Sequence, residues 1–129
     1  MSVTVDYFFN SEKRLDELAR EINSVLGCSL TPYQGDEEDY FGRFLAMEFS
    51  LSKHPFENDG ECNFEDYEYY LHLRTPAGDA DLRNIQIPAM GLVAYALFRR
   101  RSLTGMLVYD GQILLAKYEE RIDPQNDLP

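Results

Sequence analysis

The sequence is poor in cysteine, in basic residues and in long apolar runs, and each shortage excludes a class of protein. Its 129 residues hold two cysteines, Cys28 and Cys62, which are too few for a disulfide framework. No apolar run approaches the ~18 residues of a membrane-spanning helix, and the N-terminal residues lack the basic and apolar segments of a signal peptide. Free thiols without a targeting segment are typical of a cytoplasmic protein, which is the location we expect.

The shortage of basic residues narrows the choice of partners. Twelve lysines and arginines stand against 23 aspartates and glutamates, for a net charge of −11. Domains that bind nucleic acid are normally basic, and anionic membranes repel an acidic surface, so we expect neither partner. Hydrophobic residues make up 44% of the chain and charged residues 27%, as in ordinary globular proteins. Length and composition therefore predict one folded domain.

The negative charge is concentrated in one segment of the chain. Between Gly35 and Glu68, eleven acidic and two basic residues give a net charge of −9, and the rest of the chain has a net charge of −2. Aromatic residues interleave with its two acidic runs. The segment is either a pair of solvated loops that aid solubility or a recognition surface for a cationic partner, with aromatic anchors. The candidate partner-binding residues are Asp36, Glu37, Glu38, Asp39, Tyr40, Asp59, Glu61, Glu65, Asp66 and Tyr67.

Alternating apolar residues predict three strands in the first part of the chain. Residues 3–9 form a half-buried strand with Asp6 and Phe8 on its second face. Residues 40–54 and 66–75 form two further strands, each with one apolar and one wet face. The intervening stretches, rich in proline, glycine and small polar residues, are predicted to be loops at residues 28–39, 54–65 and 75–81.

Two helices are predicted from helical spacing and end signals. The first follows Asn10 and Ser11, which are both good N-caps, and stops at Gly27. The second begins at Pro88, because a missing N–H does no harm at the first helical position. It is apolar nearly all round, so we expect it to be largely buried, and it ends in the basic run 99–101, where cations favour the helix dipole.

The C-terminal part permits two structures. Asp110-Gly111 between apolar runs is a strong hairpin signal, but residues 112–121 also fit a short helix. The element order β-α-β-β-α-β, with this possible extra strand or helix, predicts an α+β fold. We expect a two-layer sandwich, mainly an antiparallel sheet with two helices on one face, and a split β-α-β winding is one candidate topology. The predicted domain is residues 1–122, followed by a polar tail, residues 123–129.

No strong metal, cofactor or catalytic motif is present in the sequence. An EF-hand loop with Gly60 at its sixth position would place Pro55 at the first, where a side-chain oxygen ligand is needed. The two histidines, His54 and His72, are too few for a zinc site, and we expect His72 to be solvated or hydrogen-bonded across strands. Acidic neighbours are expected to raise the pKa of Cys62. We therefore expect a protein that is not an enzyme and needs no cofactor.

Three stretches of the chain resemble a known group of proteins. They are residues 3–27, the middle segments 44–51 and 63–75, and residues 104–120. Together with the acidic α+β character, they resemble the small immunity proteins of bacterial polymorphic-toxin systems. The resemblance implies a non-enzymatic inhibitor that binds one toxin domain in the cytoplasm, either over its active site or beside it.

The sequence therefore predicts a cytoplasmic protein-binding module, with an immunity protein as the first hypothesis. Its partner is expected to be a basic toxin domain such as a nuclease, because a phosphate-binding cleft attracts an acidic surface. The alternative is an accessory or chaperone-like adaptor that binds through a sheet edge or apolar contacts, with acidic loops that only aid solubility. A third hypothesis is an enzyme that uses carboxylates or a divalent ion.

Overall fold

The computed structural model describes residues 3–44, 47–75 and 80–119, which form two helices and one sheet. The regular elements in chain order are β1 (Val3–Phe9), α1 (Leu15–Leu26), β2 (Thr31–Tyr33), β3 (Asp36–Phe44), β4 (Met47–Lys53), β5 (Tyr69–Thr75), α2 (Ala80–Arg101), β6 (Gly105–Tyr109) and β7 (Ile113–Tyr118). A single 3-10 turn, Phe64–Asp66, lies between β4 and β5. The predicted α+β class is confirmed.

The seven strands form one antiparallel sheet in the order β2-β3-β4-β5-β1-β6-β7. Its four central strands, β4-β5-β1-β6, have the order of a split β-α-β winding. In this winding β5 lies between β1 and β4, the two strands on either side of it. The hairpin of β2 and β3 extends one edge of this centre, and β7 extends the other. The sheet is therefore three strands wider than the predicted element order required.

Both helices cover one side of the sheet, here called the inner face. The period of two in β1 places Val5, Tyr7 and Phe9 on this face, where all three are buried. Leu18 and Ile22 of α1, four residues apart, pack onto them as the core stripe of an amphipathic helix. Burial of these apolar side chains is the main contribution to the stability of the domain.

The opposite side of the sheet, the outer face, is also partly buried. Phe8 is fully buried there with Met106 and Val108, and Asp6 is only 2% exposed. The half-buried strand predicted for residues 3–9 is thus buried on both faces. The reason is a long-range contact that the alternation in β1 does not reveal, since the connection from β4 to β5 folds back over Phe8.

The predicted N-caps of the first helix do not cap it. The helix begins after Arg14, which has extended backbone and makes no side-chain cap hydrogen bond. Asn10 is used elsewhere: its side-chain amide donates to the Asp66 carbonyl at 2.6 Å, and its Oδ1 accepts from the Glu68 N–H at 2.8 Å. The predicted stop is confirmed, because Gly27 adopts the left-handed conformation with φ 67°.

The loop predicted at residues 28–39 and the single strand predicted at residues 40–54 are both wrong. Gln34 and Gly35 both have positive φ, 51° and 80°, and form a tight turn that joins β2 to β3. The acidic stretch 36–39 is therefore strand rather than loop. The strands β3 and β4 pair antiparallel, and residues 45–46 between them lie outside the described residues.

The second helix starts earlier and is more exposed than predicted. It begins at Ala80, so Pro88 lies inside it and removes only the one intrahelical hydrogen bond that would end on the Asn84 carbonyl. One side is buried, but Leu92 is 71% exposed. The predicted large burial of this helix holds for one side only, because an apolar sequence does not show which side of the helix the sheet covers. Arg101 pairs with Glu21 of α1 at 3.4 Å.

The C-terminal part is a hairpin, so the helical alternative for residues 112–121 is wrong. Asp110 and Gly111 both have positive φ, 53° and 68°, as a type I′ turn requires. The Gln112 N–H closes this turn on the Tyr109 carbonyl at 3.1 Å. The predicted tail, residues 123–129, lies outside the described residues.

Candidate functional site

The connection between β4 and β5, residues 54–68, is here called the acidic loop. Asp59 and Cys62 exchange two backbone hydrogen bonds, of 3.0 and 2.9 Å. The Asn58 N–H donates to the Glu65 carboxylate and the Glu65 N–H donates to Asn58 Oδ1, both at 2.9 Å. These paired bonds, together with those of Asn10, fix the path of the backbone. The acidic loop is therefore an ordered element whose side chains have defined positions.

Buried side chains join the acidic loop to the outer face. Cys62 and Phe64 pack against Phe8, whose ring centroid lies 4.8 Å from that of Phe64 and 5.0 Å from that of His54. His54 Nε2 donates to the Tyr67 carbonyl at 2.6 Å. Tyr67 is half-buried and packs against the same cluster. Because these aromatic groups face the sheet, the polar groups of the loop face the solvent.

Most carboxylates of the acidic loop have no ion-pair partner among the described residues. Five of its carboxylate residues are exposed, and none of the five forms an ion pair with another described residue: Glu57, Asp59, Glu61, Glu65 and Asp66. Only Glu68 has a basic partner, Lys53, at 3.5 Å. Burial raises the pKa of Cys62, and the charges of Asp59 and Glu61 raise it further, as predicted. The resulting field attracts cations.

The other acidic run lies along β3. Asp39 is exposed on the outer face, opposite Ser52 of β4. The next residue, Tyr40, lies opposite Leu51 on the inner face and is 6% exposed, so this side chain is not presented at the surface. The remaining candidate residues of this run belong to the same strand: Asp36, Glu37 and Glu38, the last of which is exposed.

The two acidic runs meet around Tyr70. Ser52 lies opposite Asp39 on one side and opposite Tyr70 on the other. The Tyr70 ring is 5.9 Å from Phe56 of the acidic loop. Burial raises the pKa of Tyr70, and the charges of Asp6 and Asp39 contribute. We call this side of the molecule the acidic face, and it consists of Asp39, Phe56, Glu57, Asp59, Glu61, Glu65 and Asp66.

A hydrogen-bonded pair on the outer face, Asp6 and His72, was not among the predicted site residues. His72 Nδ1 donates to Asp6 Oδ1 at 2.6 Å across the β1–β5 ladder, which confirms the cross-strand role expected of His72. Burial raises the pKa of Asp6, and the hydrogen bond and charge of His72 oppose the rise. The only sequence signal is an acid within an apolar strand, which does not by itself indicate burial.

This pair has the last two members of a Ser-His-Asp arrangement, a histidine and an aspartate, but lacks the contact that would activate a nucleophile. Ser50 lies opposite His72 in the β4–β5 ladder. Within the described residues, no hydroxyl is hydrogen-bonded to His72 Nε2. A nucleophile needs such a bond to transfer its proton. The hydrogen bond from His72 instead satisfies a carboxyl group that burial would otherwise leave without a partner.

The Asp6 carboxyl makes stability depend on pH. Its pKa is raised from 3.8, so the folded protein keeps a proton that the unfolded chain releases. Stability therefore falls as the pH rises from 3.8 through the native pKa of Asp6, by up to about 1.4 kcal/mol per pH unit. We expect Asp6→Asn to remove this dependence and to be the more stable protein at neutral pH. Urea unfolding between acidic and neutral pH measures it, with Asp39→Asn as the exposed control. Parallel curves for Asp6→Asn and the unmodified protein would refute the assignment.

Comparisons with known proteins add no relative to this geometry. No protein-family model, no curated protein and no solved structure matches the chain. In the described part of the chain, no helix is both long and apolar enough to cross a membrane, and no group of three or more His, Cys, Asp or Glu side chains is placed to hold a metal ion. The candidate site therefore rests on the acidic face alone.

Proposed function

We propose that this protein is a non-enzymatic binding module of the immunity type, which neutralises a basic toxin domain in the cytoplasm. The observation that carries the proposal is the set of five exposed carboxylates on the acidic loop that have no basic partner among the described residues. A nuclease domain is the partner that fits this charge best, because its cleft must be positive to hold phosphates.

The order of the acidic loop supports binding rather than solubility alone. A loop that only solubilises needs no fixed backbone, whereas this one is closed by the Asn58–Glu65 bonds and anchored through Phe64. A preformed loop loses little entropy when a partner binds it, so more of the interaction energy contributes to affinity.

Exposed aromatic side chains supply apolar anchors beside the charge. Phe56 is 39% exposed within the acidic face. Tyr33, at the β2–β3 turn, is 49% exposed and its ring lies 5.7 Å from that of Phe41 on the same side of the sheet. Rigid aromatic groups surrounded by polar residues are the usual centres of binding energy in interfaces. Phe56 and Tyr33 therefore replace Tyr40 as candidate anchors, because Tyr40 is buried.

Reversing charge on the acidic face tests the proposal. We expect the combined change Glu57→Lys, Asp59→Lys and Glu61→Lys to slow association about tenfold or more at low salt, with a smaller effect on dissociation, because exposed charges act on encounter. The measurement is stopped-flow association with a purified basic nuclease domain of a bacterial toxin, repeated at several salt concentrations.

The matched control places the same three reversals on α1 and the turn before it, at Glu12, Asp16 and Glu17, which do not belong to the acidic face. Thermal unfolding of both variants checks that the domain still folds. Equal association rates for the acidic-face variant and the control would contradict the proposal.

One observation favours the adaptor alternative. The edge strand β7 exposes two large apolar side chains, Ile113 at 55% and Leu115 at 37%. An exposed apolar edge is a common docking site for a further strand. Binding through this edge would be insensitive to salt, because it does not depend on screened charges. The salt series described above therefore separates the two functions.

A further inference from the structure

The exposed side of α2 carries an apolar stripe that the sheet does not cover. Its large apolar side chains are well exposed, with Ile85 at 49%, Leu92 at 71% and Tyr95 at 55%, and Pro88 lies between them. The α2 stripe, with a charged residue at each end, consists of Asp81, Ile85, Pro88, Leu92, Tyr95 and Arg99.

The spacing of the α2 stripe is that of a helix–helix seam. Successive members are separated by four, three, four, three and four residues, which is the alternation of the a and d positions in a coiled coil. Such a seam follows one side of a helix and fits a second helix that runs alongside it. Arg99 lies 18 positions after Asp81, so the stripe spans about 27 Å at 1.5 Å per residue.

The charges at the two ends of the α2 stripe select the second helix. An antiparallel copy related by a two-fold axis near residue 90 brings Asp81 of one molecule next to Arg99 of the other, twice. The same operation pairs Ile85 with Tyr95 and Pro88 with Leu92. Neither Asp81 nor Arg99 forms an ion pair within the described part of the chain. The stripe is therefore complementary to itself in the antiparallel direction only, since a parallel pair would place like charges together.

We propose that a second copy of this chain occupies the α2 stripe in an antiparallel homodimer. The proposal does not depend on the proposed function, because α2 lies on the inner face of the sheet and the acidic loop lies on the outer face. A dimer formed in this way leaves both acidic faces free. A seam of one helix pair is small for a protein interface, so we expect a dissociation constant of about micromolar or above.

Sedimentation equilibrium of the full chain, from about 1 to about 500 μM, tests the dimer. We expect Leu92→Glu to weaken it by about tenfold or more, because a charge replaces a central apolar contact. Arg43→Glu, an exposed change in β3 away from the α2 stripe, is the control and should leave the dimer unchanged. A protein that is monomeric throughout this range overturns the proposal, as does a dimer that tolerates Leu92→Glu.

A charge swap tests the antiparallel direction. We expect Arg99→Asp alone and Asp81→Arg alone each to weaken self-association about fivefold, because each creates two like-charge contacts per dimer. The double variant should regain the dimer of the unmodified protein, and an equal mixture of the two single variants should form the heterodimer. Failure of both the double variant and the mixture to recover the dimer overturns the arrangement, whatever the effect of the single changes.

Discussion

Gly105→Ala should cost the domain about 3 kcal/mol of unfolding free energy, near the upper end for an added methyl group in a packed interior. A Cβ at this position of β6 would lie 2.0 Å from the backbone oxygen of Phe8. A backbone atom in a central strand cannot rotate away as the end of a flexible side chain can. The β1–β6 pairing must therefore separate, and Phe8 and Phe9, both fully buried, must move with it.

Urea unfolding monitored by circular dichroism measures this loss, and the chain offers a control of the opposite sign. Gly91 lies inside α2, and a Cβ there would meet nothing within 4 Å. Gly91→Ala should therefore raise the free energy of unfolding by about 1 kcal/mol through helix propensity. A Gly105→Ala protein that unfolds within about 1 kcal/mol of the unmodified one would refute the close approach, given that typical domains have only 5–15 kcal/mol in total.

The elements that the sequence predicted well are those whose local pattern and tertiary environment agree. The strand β5 is buried at every second residue from Tyr69 to Leu73, as its alternation indicates. The Asp110-Gly111 turn requires positive φ at both residues, and few other dipeptides adopt it readily. In such places short-range chemistry is sufficient, so the prediction needs no knowledge of distant partners.

The elements that were missed depend on contacts between distant parts of the chain. The strand β3 contains four consecutive acidic residues, 36–39, whose strand propensity is low, and it is a strand because β2 pairs with it on one side and β4 on the other. The same pairing register sends Tyr40 to the inner face. The burial of Asp6 likewise depends on distant strands, because β5 pairs with β1 and supplies the hydrogen-bond partner His72 from 66 residues away. None of these contacts leaves a local trace in the sequence.

The position of the candidate site was predictable and its composition only in part. In the sequence, negative charge is concentrated between Gly35 and Glu68. In the structure, the exposed carboxylates of the acidic loop lie within this segment. Which aromatic side chains accompany them depends on the inner or outer direction of each strand position. That direction leaves Tyr33 exposed and removes Tyr40 from the surface, whereas Phe56 is exposed from the acidic loop.

Phe8→Ala should produce the largest effect on the acidic face itself. Phe8 is fully buried, and its ring contacts those of Phe64, His54, Tyr70 and Phe56, with centroids 4.8 to 5.7 Å away. Truncating a buried phenylalanine costs about 3–5 kcal/mol. Because most of these contacts are with the acidic loop, we expect much of the loss to appear as local opening of this loop, before the rest of the domain unfolds.

Phe9→Ala, one position along the same strand, separates local opening from general instability. Phe9 is equally buried but faces the helices, where it stacks with Tyr7 at 5.7 Å. Both variants should lose similar unfolding free energy, as measured in urea. Only Phe8→Ala should accelerate hydrogen exchange at the Asp59 and Cys62 amides, which close the acidic loop. Phe8→Leu keeps most of the apolar volume and serves if the alanine variant does not fold.

The same pair of variants connects the fold to the proposed function. If an ordered acidic loop makes binding efficient, then Phe8→Ala should weaken the toxin-domain complex more than Phe9→Ala does at equal stability, because the loop must be reordered on binding. The exposed charges are identical in the two proteins, so net charge alone predicts equal affinity. Equal affinities, combined with faster exchange in the acidic loop, would show that the number of the five carboxylates determines binding. Their fixed positions on the acidic loop would then not matter.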